Sequence, residues 1–526
     1  MPRMLRVFSR AQMREFDRLA TAVANIPSAV LMENAGRGAA DIIAAELGLA
    51  PRTEPSAAAR APRVSIVCGL GNNAGDGYVV ARRLALLGVS VQVFSLHPEA
   101  RLRGDALGNF QAFVNTGGNV RQITSETLLE LEQGLSESEL AVDAVFGTGL
   151  DRAVTGIEHD AIVLINRARA RRVALDLPSG LDADTGQVHG EAVRAALTIT
   201  FAAPKLGLLT PNALEYRGRL CVADIGVAPS ALSAAGQSAE LLEASDVRAW
   251  LGRRASDAHK SSAGRVLILA GSPGKVGAAL LVAQGALRAG AGLVTLGAVP
   301  EVAAALDQRV LEAMTARLDP AALDEALAAL LRSTQAVAIG PGLGFDVVAR
   351  RIVERTVLEH EGKIVVDADA ISHFAGRPEL LATARGQLLL TPHPAELARL
   401  LGGSAADVET DRFGALERAV RLTKATVLLK GPHTLIGSLG QLPIVNREGS
   451  PALATGGAGD VLTGVIAALC CRLEPREAAS CGAFLHALSG ERWAQASGAD
   501  RGLLAHEIAD GIPGALAELS DVRLSA

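Results

Sequence analysis

The chain has 526 residues, too many for one ordinary domain, and this length predicts two to four domains. Its 51 Lys and Arg residues against 56 Asp and Glu residues give a net charge of −5 with no long basic run, which argues against nucleic acid and anionic membranes as partners. The five cysteines form no Cys-x-x-Cys pair, so neither a disulfide framework nor a zinc site is predicted. Because residues 1–20 lack a secretory signal and no apolar run approaches the roughly 18 residues of a membrane span, we expect a soluble, cytoplasmic protein without a membrane partner.

The first predicted elements are two helices within residues 9–50. Met13, Phe16 and Leu19 are spaced to share one helix face, and Ile26-Pro27 interrupts the pattern before a second helix that contains the sequence LMENAG. Residues 51–62, rich in Pro, Ala and Ser, are predicted to form a loop between this helical region and the first strand of a sheet.

A strand, a Gly-rich turn and a helix follow from residue 64, in the sequence VSIVCGLGNNAGDGYVV. The turn is not the GxGxxG of a dinucleotide-binding fold, but Asn72, Asn73 and Asp76 add side-chain oxygens to its backbone amides. Such a turn suits a cation, a ribose or an anion. The alternative is a tight turn that its Asn and Asp side chains stabilise locally, and the residues alone leave both interpretations open.

Two later strands also lead into loops with acidic residues. Asp143 lies in the predicted strand 141–146 before the sequence GTGL, and Asp176 lies in the predicted strand 173–177 before PSGLD. Acidic side chains within apolar strands are costly to bury without a partner, so an ion or a ligand is expected beside each. Further strands are predicted at 89–94, 197–201 and 220–223. Together these strands predict a Rossmann-like parallel sheet whose loops converge at its carboxyl edge.

The motifs NNAGDG, AVDAVFGTGL and LDLPSGLD, together with LMENAG, resemble the NAD(P)H-hydrate epimerases over about residues 5–227. The resemblance implies a potassium site formed by Asn73, Asp143 and Ser179. It also implies a hydrate-binding set of Asn72, Asn73, Ala74, Gly75, Asp76, Gly147, Thr148, Gly149, Leu150, Asp151, Arg152, Ala153 and Asp176. Epimerisation requires an acid and a base, whether the hydroxyl leaves and returns or the ring opens and closes. Asp176 is the candidate for that role, and Asp182 in the same loop is the alternate.

The second half of the chain follows a low-complexity segment, 228–244, that is predicted to be the interdomain linker. Beyond it, strands alternate with helical stretches, which predicts a mostly parallel sheet covered by helices on both faces. The predicted strands are 265–270, 293–296, 336–339, 363–366, 387–390 and 426–429. The two halves are therefore expected to be separate α/β domains, 1–227 and 245–526.

The sequence ATGGAGDVLTG at 454–464 is the Gly-rich stretch of the second half. Its glycines allow backbone amides to turn inward, and a helix is predicted to start at Asp460, so the stretch forms a cradle for a phosphate. A carboxylate beside a phosphate repels it unless the carboxylate takes a proton from an attacking hydroxyl or faces a metal, which favours phosphoryl transfer. The alternative is that Asp460 only caps the helix.

Two more motifs, TPHPAE at 391–396 and KGPHT at 430–434, each follow a predicted strand. In the order TPHPAE, KGPHT, ATGGAGDVLTG they resemble the ADP- or ATP-dependent NAD(P)H-hydrate dehydratases of the ribokinase-like superfamily, over roughly residues 246–519. The resemblance implies that the hydrate contacts Ala278, Gly342, His393 and Asp460. It implies that the nucleotide contacts Lys430, Gly431, Pro432, His433, Thr434 and Gly459.

These resemblances predict a bifunctional repair enzyme for the hydrates of NADH and NADPH (NADHX and NADPHX). Its first domain would interconvert the R and S hydrates with bound potassium, and its second would dehydrate the S hydrate with ADP or ATP as phosphoryl donor and with Mg²⁺. The rival hypotheses are a ribokinase-like small-molecule kinase fused to a nucleotide-sensing module, and a regulatory scaffold. The sequence leaves open the choice of donor and whether the chain forms a homo-oligomer.

Overall fold

The computed structural model describes residues 4–49, 61–227, 234–254, 256–446 and 449–519. The chain divides into two compact units, one spanning Arg6–Ala239 and the other formed by Glu240–Ala526 with the first residues of the chain. Most of the predicted loop 51–62 and the first part of the predicted linker lie outside the described residues. The rest of the linker contains a strand, Ala239–Leu242, and the beginning of a helix, Ala244–Leu251.

The amino-terminal unit contains a parallel sheet of seven strands in the order β4-β3-β2-β5-β6-β7-β8. After β1 (Leu5–Val7), its strands are β2 (Arg63–Cys68), β3 (Ser90–Ser95), β4 (Val120–Gln122), β5 (Leu140–Ala144), β6 (Arg171–Leu175), β7 (Leu197–Phe201) and β8 (Arg219–Ala223). The chain moves outward from β2 to β4 and then returns to pair β5 with β2. Ligands of open α/β sheets bind at such a reversal, outside the carboxyl ends of the strands. The predicted Rossmann-like sheet is confirmed.

The helices of this unit are α1 (Arg10–Ala22), α2 (Ser28–Glu46), α3 (Asn72–Leu86), α4 (Gly104–Asn115), α5 (Leu128–Ser136), α6 (Gly156–Arg167) and α7 (Leu214–Arg217). The predicted break at Ile26-Pro27 does separate α1 from α2. The predicted Gly-rich turn is wrong in one respect, because Gly71 is the extended N-cap and the helix begins at Asn72. Asn72, Asn73 and Asp76 therefore project from the first turns of a helix.

In the carboxyl-terminal unit the strands follow the order β9-β18-β17-β16-β15-β14-β13-β10-β11-β12. They are β9 (Ala239–Leu242), β10 (Arg265–Leu269), β11 (Leu293–Ala298), β12 (Met314–Arg317), β13 (Ala336–Ile339), β14 (Lys363–Val366), β15 (Gln387–Leu390), β16 (Thr426–Leu429), β17 (Leu435–Gly437) and β18 (Ile444–Asn446). The pairs β16–β17 and β17–β18 are antiparallel, and the other pairs between these strands are parallel. The mostly parallel sheet is as predicted.

The helices of the second unit are α8 (Ala244–Leu251), α9 (Val276–Arg288), α10 (Pro300–Asp307), α11 (Leu323–Arg332), α12 (Val347–Glu354), α13 (Ala368–Ser372), α14 (Pro394–Leu401), α15 (Ala405–Thr410), α16 (Arg412–Thr423), α17 (Ala458–Cys470), α18 (Pro475–Ser497) and α19 (Ala505–Leu519). Helix α17 is apolar on all sides and almost wholly buried. Two glycines let it approach α9 closely: a Cβ on Gly464 would collide with the Val282 carbonyl, and one on Gly285 with the Val461 carbonyl. Among the described helices, none is both long and apolar enough to span a membrane.

Candidate active sites

A cavity of about 550 Å³ lies at the carboxyl edge of the first sheet, between the ends of β2, β5 and β6. Nine of the residues predicted to bind a hydrate line it: Asn72, Asn73, Asp76, Gly147, Thr148, Gly149, Leu150, Arg152 and Asp176. Ala74 is buried in the core, and Gly75 faces Met32 and Ala106. Asp151 and Ala153 are exposed. The structure thus brings three separate loop regions to one cavity, as the strand ends predict, and leaves four of the thirteen residues off its wall.

Asp176 follows directly after β6 instead of lying within the strand, and its backbone is left-handed, with φ of +64°. Its Oδ1 lies 2.5 Å from the ammonium of Lys205, which is completely buried. The ammonium also donates to Thr200 Oγ1 (2.9 Å) and to the Phe201 carbonyl (3.0 Å). The other carboxylate oxygen, Oδ2, accepts from the backbone N–H of Thr148 on the cavity wall (3.3 Å). Asp176 is therefore an ion-paired carboxylate with one oxygen at the cavity.

Lys205 is a residue that the sequence reasoning missed. The sequence places this lysine in the apolar segment that follows the strand 197–201. A lysine buried in such a segment needs an acidic partner, and this requirement could have pointed to Asp176.

Asp182, the alternate candidate, has local partners. Its carboxylate pairs with Arg10 (2.6 Å) and His189 (3.2 Å) and accepts from the backbone N–H groups of Asp184 and Thr185. Partial burial alone would raise the pKa of Asp182, but the hydrogen bonds from Thr185, Asp184 and His189 lower it well below the ordinary value. Asp182 does not line the cavity. Its contacts are those of a residue that stabilises its own loop.

Two other carboxyls on the cavity wall have raised pKa values. Burial raises the pKa of Asp76 well above its ordinary value, and the negative charge of Asp176 raises it further, against the opposing effect of Lys205. Burial likewise raises the pKa of Asp17 to about 6, while Lys205 opposes the shift. This cavity therefore combines one ion-paired carboxylate with carboxyls that hold their protons more tightly than usual.

The three residues of the predicted potassium site are linked to one another: Asn73 lines the cavity, and Asp143 and Ser179 do not. Asp143 is completely buried and accepts from Ser179 Oγ (2.6 Å) and from the Ser179 backbone N–H (2.8 Å). The Phe146 carbonyl accepts from both Asn73 Nδ2 (2.8 Å) and Ser179 Oγ (3.2 Å). Burial raises the pKa of Asp143 to about 6, although the bonds from Ser179 oppose this shift. Asn73 Oδ1 is buried without a hydrogen-bond partner. An orphaned carbonyl oxygen beside a buried carboxylate fits a cation.

The second candidate site is the amino end of α17. Gly457, with φ of +88°, is the N-cap of this helix. The helix therefore begins at Ala458, two residues before the predicted start. Asp460 therefore lies in the first turn and is not the N-cap. Burial raises the pKa of Asp460 to about 7, and the charge of Asp367 adds to this, whereas Lys430 opposes it. The carboxylate is poised between its two protonation states at neutral pH, which suits a general base.

Lys430, at the end of β16, lies in a group of carboxylates. Its ammonium is 2.7 Å from Asp367 Oδ1 and 3.9 Å from Glu396 Oε2. Burial alone would lower the pKa of Lys430, but these carboxylates and Asp460 together raise it. A Cβ on Gly459 would lie 3.3 Å from the ammonium, so Lys430 also borders the turn that carries Asp460. Asp367 and Glu396 were missed as site residues, although Glu396 stands in the motif TPHPAE.

The segment Lys430 to Thr434 is a tight loop with two left-handed residues, Gly431 (φ of +128°) and His433 (φ of +52°). Thr434 Oγ1 donates to the Gly431 carbonyl (3.1 Å), and Gly431 and Pro432 are exposed. A side chain on Gly431 would contact the guanidinium of Arg412. The loop thus presents backbone and a hydroxyl beside the Lys430 ammonium, as a nucleotide site requires.

Of the residues predicted to line the hydrate pocket, Ala278 and Gly342 are neighbours. A Cβ on Gly342 would lie 3.2 Å from the Cβ of Ala278. His393 is the N-cap of α14: its Nδ1 accepts from the backbone N–H groups of Ala395 (3.2 Å) and Glu396 (3.4 Å), and 47% of its side chain is exposed. Its imidazole is therefore held at the end of β15 with one ring nitrogen occupied by the cap.

The fold and the sites define the class: a two-unit α/β protein with a Rossmann-like unit whose cavity is lined by carboxyl groups, and a second, mostly parallel α/β unit with a Gly-rich helix start beside a buried Lys–Asp pair. Residues 266–514 match the family described as NAD(P)H-hydrate dehydratase, and residues 28–207 match the family described as YjeF-related protein N-terminus.

Full-length relatives match both halves at once. The bifunctional NAD(P)H-hydrate repair enzyme Nnr of Moorella thermoacetica is 40% identical over 521 residues, covering 97% of this chain and 96% of its own length. The enzyme of the same name from Coxiella burnetii is 37% identical over 504 residues, covering 95% and 97%. A solved structure of the ADP/ATP-dependent NAD(P)H-hydrate dehydratase of Bacillus subtilis, co-crystallised with ATP/Mg2+, is 31% identical, covers 54% of this chain and 99% of its own, and has a TM-score of 0.47.

The chain belongs to the family of bifunctional NAD(P)H-hydrate repair enzymes. It carries an epimerase unit followed by a dehydratase unit, and its function is the repair of hydrated nicotinamide nucleotides. The rival hypotheses of a fused small-molecule kinase and of a regulatory scaffold are not supported, since the relatives named for the repair reaction cover nearly the whole chain.

Proposed function

We propose that Asp176 and Asp460 are the catalytic carboxylates of the two repair reactions, one in each unit, and that the enzyme works in the cytoplasm on the hydrates of NADH and NADPH. The observation that carries the proposal is the state of Asp460: it lies in the first turn of α17 without capping it, and its pKa is raised to about 7. A carboxylate that only stabilised the helix end would be favoured in its charged form, which lowers a pKa, whereas burial and the charge of Asp367 raise the pKa of Asp460.

Epimerisation is assigned to the cavity lined by Asp176. Proton removal from the hydroxyl and protonation of the group that leaves both require a titratable group within hydrogen-bond reach. Asp176 Oδ2 supplies one at the cavity wall, while Oδ1 is held by the buried Lys205. The hydrate would lie against the start of α3 and the loop after β5, where Asn72, Asn73, Asp76, Gly147, Thr148, Gly149, Leu150 and Arg152 line the cavity. Asp182, bound into its own loop, is left with a structural role.

Potassium is assigned to Asn73, Asp143 and Ser179. The orphaned Asn73 Oδ1, the Asp143 carboxylate and the Ser179 hydroxyl supply oxygen ligands of the type that a weakly demanding monovalent cation accepts. When bound, the ion would supply a fixed positive charge beside the substrate. The residues themselves hold the loop at Phe146 against the first turn of α3.

Dehydration is assigned to the amino end of α17. Water is a poor leaving group, and transfer of a phosphoryl group to the hydroxyl converts it into phosphate, which leaves with help from the ring nitrogen. Asp460 would accept the hydroxyl proton, and the backbone N–H groups of 457–460 would stabilise the transferring phosphoryl group. The nucleotide would lie on Gly459 and on the loop Lys430, Gly431, Pro432, His433 and Thr434. Ala278, Gly342 and His393 would line the hydrate pocket.

Mg²⁺ with ADP or ATP is the cofactor set that this mechanism needs, and the B. subtilis dehydratase was co-crystallised with ATP/Mg2+. Among the described residues, no group of three or more His, Cys, Asp or Glu side chains could hold a metal ion. That finding fits magnesium bound chiefly through phosphate oxygens and water, as in other nucleotide sites. The ion would neutralise charge on the donor phosphates, and the protein's own part is the cradle, the base and Lys430.

Ligand dependence tests the proposal on the wild-type enzyme. Pure S hydrate of NADH is incubated with Mg²⁺ and either ADP, ATP or no nucleotide, and the return of NADH absorbance is followed. Conversion of R to S hydrate is followed separately in buffers containing K⁺ or a bulky organic cation. We expect dehydration only with nucleotide and Mg²⁺, and faster epimerisation with K⁺. Dehydration at the full rate without nucleotide would overturn the phosphoryl-transfer mechanism.

A further inference from the structure

Asp367 is the first residue after β14 and is almost completely buried, with 1% of its surface exposed. Both of its carboxylate oxygens are bound by side chains. Oδ1 accepts from the Lys430 ammonium (2.7 Å), and Oδ2 accepts from Thr463 Oγ1 (2.7 Å). One carboxylate therefore joins the end of β14 to the predicted nucleotide loop and to helix α17.

The contact with Thr463 fixes the catalytic turn. Residues three apart on a helix lie on the same face, so Thr463 is the neighbour of Asp460 one turn further along α17. Thr463 Oγ1 also contacts the carbonyl of Gly459, the residue before Asp460. Asp367 thereby holds both Lys430 and the turn that carries Asp460 in one arrangement.

The charge of Asp367 also acts on Asp460. Burial of Asp460 has the largest effect on its pKa, and the charge of Asp367 has the second largest. Both raise the pKa, and the effect of Asp367 exceeds the opposing effect of the Lys430 charge. The other charged groups that act on Asp460 are Asp369 and Glu396, which raise its pKa to a smaller extent. His486 contacts the Ala458 carbonyl, but burial lowers the pKa of His486 to about 4, so it is neutral near pH 7.

We propose that Asp367 is a positioning residue of the dehydration reaction, which holds Lys430 at the nucleotide loop and keeps Asp460 a strong enough base to take the substrate proton. The proposal rests on the proposed role of Asp460.

In the phosphoryl-transfer step, the Asp460 carboxylate takes the hydroxyl proton as the hydroxyl oxygen bonds to the transferred phosphorus. The bond from that phosphorus to the nucleotide oxygen breaks, and its electron pair leaves with the nucleotide. Because the Lys430 charge is shared with Asp367, Asp460 keeps a proton affinity suited to neutral pH.

The test is the pH dependence of kcat for dehydration of pure S hydrate at saturating nucleotide. A base must be ionised, so we expect the wild-type rate to rise with pH as Asp460, whose pKa burial raises to about 7 in the free protein, loses its proton. Asp367→Asn removes one negative charge with little change of shape. We expect the midpoint of the rise to move to lower pH by about 1 unit, together with a lower maximal rate, since Asp367 is the charge that raises the pKa of Asp460 most and a neighbouring charge shifts a pKa by roughly 1–3 units.

Thr463→Val is the matched control, because it removes the hydrogen bond to Asp367 and keeps the charge. We expect it to lower the maximal rate and leave the midpoint where it is. Asp369→Asn removes a smaller charge effect at a more exposed side chain and is expected to move the midpoint in the same direction by less. If Asp367→Asn yields no active dehydratase unit, Asp369→Asn still tests whether neighbouring carboxylates set the midpoint, and thermal unfolding of the carboxyl-terminal unit in calorimetry reports whether that unit is folded in Asp367→Asn.

Unchanged midpoints in both Asp367→Asn and Asp369→Asn, with a uniform loss of rate at every pH, would reduce Asp367 to a structural residue and overturn the inference. Failure of the underlying mechanism has a different signature. If Asp460→Asn keeps the wild-type rate, Asp460 is not the base, whatever the Asp367 variants do.

Discussion

Each unit places a carboxylate and a lysine at its candidate active site, yet the lysine has a different partner in the two units. In the amino-terminal unit Lys205 contacts Asp176 itself, at 2.5 Å. In the carboxyl-terminal unit Lys430 ion-pairs with Asp367, at 2.7 Å, beside Asp460. The first arrangement holds a catalytic carboxylate in one orientation. In the second, burial raises the pKa of Asp460 to about 7 and Asp367 adds to the shift, while Lys430 only partly opposes it. The position of the lysine therefore determines whether its charge neutralises the catalytic carboxylate directly or is shared with a neighbouring carboxylate.

The largest expected effect in this comparison comes from Asp460→Asn. The side chain changes little in shape and Gly457 remains the N-cap, so the fold should be kept. The amide cannot accept a proton, and loss of a general base lowers a rate by about 10²- to 10⁴-fold. We expect that loss in nucleotide-dependent dehydration of S hydrate. Epimerisation by the same preparation is the internal control and should be unchanged.

Lys205→Met tests the directly paired carboxylate. Removal of one partner of a buried ion pair leaves an uncompensated charge and costs about 3–5 kcal/mol. We expect epimerisation to fall about 100-fold or more and the amino-terminal unit to unfold at lower temperature in calorimetry. Arg10→Met, which breaks the more exposed pair with Asp182, is the matched control and should have a small effect on both. Equal effects of the two variants would contradict a special role for Lys205.

Asp143→Ala tests whether the predicted cation site serves epimerisation alone and not dehydration. Loss of a buried ligand should lower epimerisation by about 10- to 100-fold and weaken its response to added K⁺. Dehydration of pure S hydrate should continue at the wild-type rate. A parallel loss of both activities would show that Asp143 serves only the stability of the protein.

The smallest effect is expected from Asp182→Asn. Because this carboxylate is bound by Arg10, His189 and the backbone of its own loop, its loss should change the rate of epimerisation by less than about threefold, well under 1.4 kcal/mol. Asp176→Asn, assayed alongside, should abolish most of the activity. If the two variants exchange these outcomes, the acid–base role belongs to Asp182.

The sequence predicts the architecture well where strands are buried on both faces. The strands Ala336–Ile339, Lys363–Val366, Gln387–Leu390 and Thr426–Leu429 have the predicted bounds, because short apolar runs between turn residues have few alternatives. The linker strand β9 was missed because it lies in the segment interpreted as a low-complexity linker, and the antiparallel strands β17 and β18 were missed because three-residue strands carry little periodicity.

The motifs located the glycines and acidic residues of both sites, but not their partners. Lys205 and Asp367 lie far in sequence from Asp176 and Asp460, and only the sheet topology brings them together. Helix starts were also misplaced at Asn72 and Ala458, because in each case the preceding glycine serves as N-cap and the helix begins directly after it. Pairing across a sheet depends on register, which a single sequence does not specify locally.

Two separate repair reactions on one chain can be distinguished directly with a mixture of the R and S hydrates of NADH. The wild-type enzyme is given the mixture with Mg²⁺ and ADP or ATP, and NADH absorbance is followed for a time short compared with spontaneous epimerisation. We expect complete recovery of NADH for the wild type, recovery of only the S fraction for Asp176→Asn, and none for Asp460→Asn within this time. Complete recovery by Asp176→Asn, or any rapid recovery by Asp460→Asn, would contradict this expectation.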